Sequence, residues 1–131
     1  MRNVACPAGA GWAERGNVLA ASQPPTNDAL HVLAARVRER AKASADSSYT
    51  RQLLDRGIAQ CAKKLGEEAV EIVVAAIGED RDRVIAEAAD LLYHLLVVLE
   101  ARGITLAEVE AVLIARMTQS GLDEKAARRG G

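Results

Sequence analysis

Aromatic residues are nearly missing from this chain, which has no phenylalanine, one tryptophan and two tyrosines among 131 residues. Strands are enriched in aromatic and β-branched side chains, whereas Ala and Leu are good helix formers. Half of the residues are apolar, with much Ala, Leu and Val among them. The composition therefore predicts an all-α fold, and the length is enough to bury a core without disulfides.

Cysteine is scarce as well. Cys6 and Cys61 are too few and too far apart for a zinc motif or a disulfide framework, and Cys61 is predicted to be a reduced core residue. No apolar stretch is long enough to span a membrane, because Glu87, Asp90 and Glu100 interrupt the longest one. The first residues lack the apolar segment of a signal peptide, so we expect a cytoplasmic protein with no membrane partner.

Neither sign of charge dominates the chain. Lys and Arg number 17 and Asp and Glu number 18, which gives a net charge of −1. A protein that binds nucleic acid or an anionic membrane through its overall field needs a basic excess. We therefore expect no nucleic-acid partner, and any charged ligand must be recognised locally.

The chain divides into a leader and a helical domain. Residues 1–27 contain several Gly and Pro without sustained periodicity, which predicts a flexible leader. Residues 28–131 are predicted to be one all-α domain, an antiparallel bundle of four to five helices. The predicted helices cover roughly 28–43, 49–77 with a break at Gly57, 81–101, and 106–117. The basic tail after them is predicted to be mobile.

Helix boundaries are indicated by capping residues. Ser48 and Asp80 are predicted N-caps, and Gly78 and Gly103 are suited to positions just past a helix C-terminus. Thr105 begins a capping-box pattern that predicts the start of the last helix.

The two central helices are apolar over a wide arc. In the helix that ends near Ile77, apolar residues cover well over half of the circumference, so it must pack on more than one neighbour. In the next helix, the residues predicted to face inward include Leu92 and Leu95.

Four carboxylates lie symmetrically about the turn at residues 78–80. Glu68 and Glu71 precede the turn, Glu87 and Asp90 follow it, and the inner and outer pairs share one centre. In a helical hairpin, residues equally far from the turn lie at equal height, at about 1.5 Å of rise per residue. Crowded carboxylates resist ionisation, and a hard divalent cation such as Mg²⁺ relieves that repulsion. The pattern predicts a metal site.

The alternative interpretation is that these carboxylates lie on solvated helix faces. Glu is a good helix former, and acidic pairs three residues apart are common. On a helical wheel, however, both acidic pairs border the apolar face. Like charges beside an apolar seam are unfavourable without a counter-ion, which favours the metal site.

Three neighbouring residues have open interpretations. Lys64, one turn before Glu68, could contact a phosphate or make a salt bridge. Tyr49 could anchor the core or contact a ligand at its edge. His94, one turn after Asp90, could bind the metal, support a metal ligand or simply pack in the core.

Three segments carry a family resemblance: Ser48-Tyr49-Thr50, AQCAKKLGEEAVEIVVAA at 59–76, and EAADLLYHLLVVLEARGI at 87–104. They closely resemble the phosphoribosyl-ATP pyrophosphohydrolases, which catalyse the second step of histidine biosynthesis. The resemblance runs from about Leu30 to Arg128. The pattern EExxE followed by ExxD would by itself indicate only the wider superfamily of all-α, MazG-like NTP pyrophosphohydrolases.

The resemblance implies a Mg²⁺-dependent hydrolysis of phosphoribosyl-ATP to phosphoribosyl-AMP and pyrophosphate, with Mn²⁺ as a possible substitute. It also implies a homodimer, which fits the wide apolar arc, and a small-molecule nucleotide substrate. By motif match, Glu67 is an outer ligand or orients water, and the metal ligands are Glu68, Glu71, Glu87 and Asp90.

Substrate contacts are predicted from charge. Lys64, Lys125 and Arg128 are candidates to hold the outer phosphates or the phosphoribosyl group, because cationic side chains pair with phosphate. Tyr49 is a further candidate. Two other functions remain open from the sequence: a general pyrophosphohydrolase of nucleoside triphosphates, and a helical interaction module without enzymatic activity.

Overall fold

The computed structural model describes residues 28–119 and 121–130, and these residues form six α-helices with no strand among them. The helices are α1 Ala29–Ala41, α2 Tyr49–Asp55, α3 Ile58–Gly78, α4 Arg81–Ala101, α5 Leu106–Thr118 and α6 Gly121–Arg129. The all-α prediction is confirmed. The predicted leader, including Cys6, lies outside the described residues.

Helices α3 and α4 form an antiparallel hairpin and contact each other more extensively than any other pair of helices. The turn between them is short, since α3 ends at Gly78 and α4 begins at Arg81. Asp80 is the N-cap of α4, and its side chain accepts a hydrogen bond of 2.9 Å from the backbone N–H of Arg83. The prediction for Gly78 was wrong. Gly78 is the last residue of α3, and the chain leaves through Glu79 in an extended conformation, so no left-handed glycine is needed.

The other predicted boundaries are confirmed. Ser48 caps α2 by accepting from the backbone N–H of Arg51, and Thr105 and Glu108 form a complete capping box at α5. Gly57 separates α2 from α3 and Gly103 follows α4, with φ of 92° and 67° respectively. These are left-handed conformations that glycine adopts without the steric cost of a Cβ.

The core lies where α1 and α2 pack against the hairpin. Its buried residues are Val37, Leu53, Cys61, Tyr93, Leu96 and Val97. Cys61 is a free thiol, as predicted, and its Sγ donates to the carbonyl oxygen of Leu53. The expected inward positions Leu92 and Leu95 are instead 39% and 36% exposed, because α4 turns Tyr93, Leu96 and Val97 toward the core.

A buried hydrogen bond joins α2 to α4. The hydroxyls of Thr50 and Tyr93 lie 2.6 Å apart, and both residues are 1% exposed. Buried polar groups are stabilising only when they are paired, and here each hydroxyl pairs with the other. This bond fixes the short helix α2 beside the middle of α4.

The last two helices differ from the rest. Within α5, all of whose residues the structure describes, none is buried. The basic tail, for which no helix was predicted, forms α6. The sequence of α6 contains Lys125, Ala126, Ala127 and Arg128, which are good helix formers.

Among the described residues no helix has the length and apolar character needed to cross a bilayer.

Candidate metal centre

Three carboxylates meet between α3 and α4. Glu68 comes from α3, Glu87 and Asp90 come from α4, and one oxygen of each lies within 4.8 Å of the others. Glu68 and Glu87 are only 4% and 5% exposed, and Asp90 is half-buried. We call these three residues the carboxylate group.

The hairpin explains how these residues come together. Glu68 and Asp90 are equally far from the turn and therefore lie at the same height on their two helices. Glu87 lies one turn from Asp90 on the same face of α4, since residues three apart on a helix are neighbours. The symmetry seen in the sequence thus brings at least three of the four predicted ligands together.

The carboxylate group disfavours its own negative charge. Burial raises the pKa of Glu87, and the nearby charges of Glu71 and Asp90 raise it further. Burial also raises the pKa of Asp90. A carboxyl that is removed from water and placed beside other acids holds its proton more tightly, unless a cation compensates.

Arg83 partly supplies that compensation. Its Nη2 lies 2.7 Å from Oε1 of Glu87, and its guanidinium lowers the pKa of Glu87 and of Asp90 against the effect of burial. Its Nε also donates to Glu79 at 3.0 Å. Arg83 was missing from our sequence predictions, although its position four residues before Glu87 was a usable signal.

Glu71, the fourth predicted ligand, is exposed on α3 and is not one of the three residues of the carboxylate group. It is near enough to raise the pKa of Glu87 electrostatically. Its assignment as a metal ligand remains a prediction.

Lys64 and Glu67 form an ion pair on α3. The Nζ of Lys64 lies 2.9 Å from Oε2 of Glu67, and this hydrogen bond lowers the pKa of Glu67. Glu67 is exposed, whereas the side chain of Lys64 is largely buried. The charge of Lys64 also contributes to the low pKa of His94, so the two side chains interact electrostatically.

His94 is buried next to the carboxylate group, with 2% of its surface exposed. Its Nε2 lies 3.7 Å from Oε1 of Glu68. Burial lowers the pKa of His94 to about 4, with a further contribution from Lys64. The imidazole is therefore neutral at neutral pH, and its contact with Glu68 is not an ion pair there.

The other predicted substrate contacts lie in different places. Tyr49 is half-buried, packs against the core and meets the ring of His94 edge-on at 6.4 Å between centroids. Lys125 and Arg128 lie exposed on α6. For all three residues, a role in binding substrate remains a prediction.

The donor atoms of the carboxylate group fit a hard divalent cation. All three candidate ligands are carboxylate oxygens, which Mg²⁺ prefers, and the pKa values of Glu87 and Asp90 are raised, which a bound cation would reverse. A soft metal would favour sulfur, and the one cysteine among the described residues, Cys61, belongs to the core.

Comparison with known proteins identifies the family. The family model of phosphoribosyl-ATP pyrophosphohydrolase matches residues 30–117. The chain belongs to this family. The matched region contains α2 to α4 entirely, and with them the whole carboxylate group.

Individual relatives agree with the family match. The chain is 59% identical to a phosphoribosyl-ATP pyrophosphatase of Nitrobacter winogradskyi over 99 residues. This alignment covers 76% of this chain and 85% of the relative. A Cereibacter sphaeroides relative of the same name is 57% identical over 99 residues, covering 76% and 96%. A third, from Methylobacterium nodulans, is 60% identical over 93 residues, covering 71% and 87%.

Removing one charge from the carboxylate group should stabilise the metal-free protein. Burial raises the folded-state pKa of Asp90, so its charge opposes folding at neutral pH, and this cost decreases as pH falls through that raised pKa. In EDTA at pH 7, Asp90→Asn should raise the melting temperature by about 2–5 °C, measured by circular dichroism. The gain should shrink toward pH 4.

The matched control is Asp82→Asn, which removes an exposed carboxylate from the first turn of the same helix. This change should lower the melting temperature slightly, because an acid there favours the helix dipole. An Asp90→Asn protein that melts below wild type in EDTA at pH 7 would contradict the proposed electrostatic cost.

Proposed function

We propose that the chain hydrolyses phosphoribosyl-ATP to phosphoribosyl-AMP and pyrophosphate, the second step of histidine biosynthesis, in the cytoplasm. The observation that carries the proposal is the carboxylate group of Glu68, Glu87 and Asp90, in a chain that belongs to the phosphoribosyl-ATP pyrophosphohydrolase family. Membership of the family supports the substrate, and the carboxylate group supports the type of reaction.

The proposed cofactor is Mg²⁺, with Mn²⁺ as a substitute. Glu68, Glu87 and Asp90 would hold it. The proposed fourth ligand is Glu71, which is exposed and near enough to Glu87 to raise its pKa. When bound, such an ion supplies charge neutralisation on the phosphates and lowers the pKa of a coordinated water.

The reaction also needs a group that accepts a proton. When water attacks a phosphorus atom of the α–β anhydride, a P–O bond forms, the bridging P–O bond breaks, and the attacking water loses a proton. Glu67 and Glu71 are exposed carboxylates beside the carboxylate group, and either could accept it. Lys64 lowers the pKa of Glu67 only while the two are paired, so Glu67 becomes more basic once Lys64 moves to a substrate phosphate, and either carboxylate could orient the water or accept its proton.

The substrate brings several phosphate charges that need cationic partners. Lys64 lies on α3 one turn before Glu68, and we propose that it moves from Glu67 to a substrate phosphate. Tyr49 is the proposed contact at the edge of the substrate. Lys125 and Arg128, which are exposed on α6, are the proposed contacts for the outer phosphates or the phosphoribosyl group.

The catalytic test is pyrophosphate release from phosphoribosyl-ATP with excess Mg²⁺. Glu68→Gln, Glu87→Gln and Asp90→Asn each remove one charged oxygen donor, and each should reduce kcat/KM at least about 100-fold. Glu39→Gln, an exposed carboxylate on α1, should stay within about two-fold of wild type. Undiminished turnover in Glu68→Gln and Asp90→Asn would remove both residues from the mechanism.

The same assay tests substrate choice. Wild type should cleave phosphoribosyl-ATP faster than ATP, dUTP or other nucleoside triphosphates. Faster cleavage of a general nucleotide would instead assign the chain to nucleotide cleansing. No release of pyrophosphate from any nucleotide would favour a helical interaction module.

We further propose that the active form is a homodimer. Several apolar residues on one side of α3 are exposed, among them Val70, Val73, Val74 and Ile77, and Ile77 is 84% exposed. On a helical wheel these residues lie roughly 140–240° from Glu68, so they face away from the carboxylate group. An apolar stripe of this kind on a monomer is typical of a protein interface.

Helix α5 supports the same proposal. It exposes Val112, Leu113, Ile114 and Met117, and a helix of 13 residues with no buried side chain is marginal in water. An open apolar groove of about 470 Å³, lined by residues that include Ile104, Val109 and Leu113, runs along this helix. A second copy of the chain would cover these surfaces.

Sedimentation equilibrium tests the dimer. Ile77→Lys changes a residue that is almost fully exposed in one chain, so it should not unfold the protein. In a dimer interface the buried charge should weaken association at least about 100-fold. Ala35→Lys, on the exposed polar side of α1, should leave association unchanged. An Ile77→Lys protein that dimerises as tightly as wild type would exclude this face.

A further inference from the structure

His94 combines complete burial with an unpaired polar atom. It lies on α4, one turn after Asp90, and is 2% exposed. Its Nε2 faces Oε1 of Glu68 at 3.7 Å, whereas its Nδ1 is buried and has no hydrogen-bond partner among the described residues. Unpaired buried polar atoms are rare and costly, and each one in a native structure needs an explanation.

The surroundings of the ring determine where its proton lies. An imidazole with one proton carries one N–H and one bare nitrogen, and a doubly protonated ring carries an N–H on both, so Nε2 lacks a proton only in the Nδ1–H tautomer. If the proton were on Nδ1, that N–H would be buried without an acceptor, and the bare Nε2 would face a carboxylate oxygen, which repels it. With the proton on Nε2, the N–H points toward Glu68 and only an acceptor is left unpaired. The second arrangement costs less.

Packing alone does not explain a histidine at this position. Leu or Met would fill similar space without an unpaired nitrogen. The ring is also held in place: Tyr93 meets it edge-on at 5.0 Å between centroids, Tyr49 does so at 6.4 Å, and Tyr93 is fixed by its hydrogen bond with Thr50. The ring is constrained, and its unpaired Nδ1 costs free energy, which indicates that the N–H of the ring has a role.

We infer that His94 is a positioning residue, whose Nε2–H holds one carboxylate oxygen of Glu68 and directs the other toward Glu87 and Asp90. This inference rests on the proposed metal site. The distance of 3.7 Å is longer than a hydrogen bond, so Glu68 closes it by a small rotation, since the packed ring of His94 is the less mobile partner. Hydrogen bonds of this kind orient metal ligands and affect metal affinity.

The role also accounts for part of the Ser48-Tyr49-Thr50 segment. Thr50 fixes Tyr93, and Tyr49 and Tyr93 border the ring of His94, so α2 supports the carboxylate group indirectly through α4. From the sequence, Ser48 was expected to be an N-cap and Tyr49 a core anchor or ligand contact, but the link from Thr50 through Tyr93 to His94 was not predicted.

The first test compares two substitutions of similar size. His94→Gln places an amide N–H near the former Nε2, whereas His94→Met keeps the volume and removes the donor. Mn²⁺ affinity is measured without substrate, by electron paramagnetic resonance of the free ion. His94→Met should weaken Mn²⁺ binding about 10-fold or more, and His94→Gln should stay within about three-fold of wild type.

The outcomes separate this inference from the proposed function. If wild type binds Mn²⁺ and the two variants bind it equally well, or are weakened equally, His94 only packs and the inference is overturned. If wild type itself binds no Mn²⁺, the metal site fails and the inference fails with it. Circular dichroism establishes that each variant is folded.

A second test uses the wild-type protein and so does not depend on the folding of any variant. The chain has two histidines, His31 and His94, so the ring nitrogens can be assigned in long-range ¹H–¹⁵N spectra. His94 should be the Nε2–H tautomer, and its Nε2 signal should move on addition of Mg²⁺. A Nδ1–H tautomer, or a signal that Mg²⁺ leaves unchanged at saturation, would overturn the inference.

Discussion

The proposed site depends on one unfavourable feature, the burial of neighbouring carboxylates between α3 and α4. Glu68 and Glu87 are almost completely buried, and the pKa values of Glu87 and Asp90 are raised by burial. Arg83 offsets this only from the exposed side. A buried acidic group is costly as a charged group unless a cation compensates it, and we therefore propose that a cation completes the electrostatics of this site. The cost to stability and the proposed capacity to bind metal therefore have the same electrostatic origin.

The two faces of α3 in the hairpin differ in chemistry. One face of α3 carries Glu68 and its neighbours, and the opposite face carries exposed apolar residues such as Val73 and Ile77. The core lies toward the end of the hairpin that is away from the turn, where Cys61 and Val97 pack against α1 and α2. The short turn sets the relative height of the two helices, the core packing holds them against each other, and this height brings the carboxylates together. The proposed second copy would brace the hairpin from the apolar side and leave the carboxylates accessible to substrate.

The sequence was enough to predict the helical class, the hairpin and the meeting of Glu68, Glu87 and Asp90. These features follow from local rules: helix propensity, caps such as Asp80 and Thr105, and equal distances from a turn. Other features depend on how helices rotate and cross. Leucines at 92 and 95 are as apolar as those at the core positions, so pattern alone could not tell which face of α4 is buried. The separate positions of Glu68 and Glu71, and the contact of His94 with Glu68, depend on side-chain conformations that spacing does not determine.

The central claim is that the carboxylate group binds a divalent cation. The most direct measurement is a crystal structure grown with Mn²⁺, in which the ion is located by its anomalous scattering. We expect an anomalous peak within roughly 2.0–2.3 Å of one oxygen each of Glu68, Glu87 and Asp90. At saturating Mn²⁺, a map with no peak at these three residues, or with the ion bound only elsewhere, would contradict it.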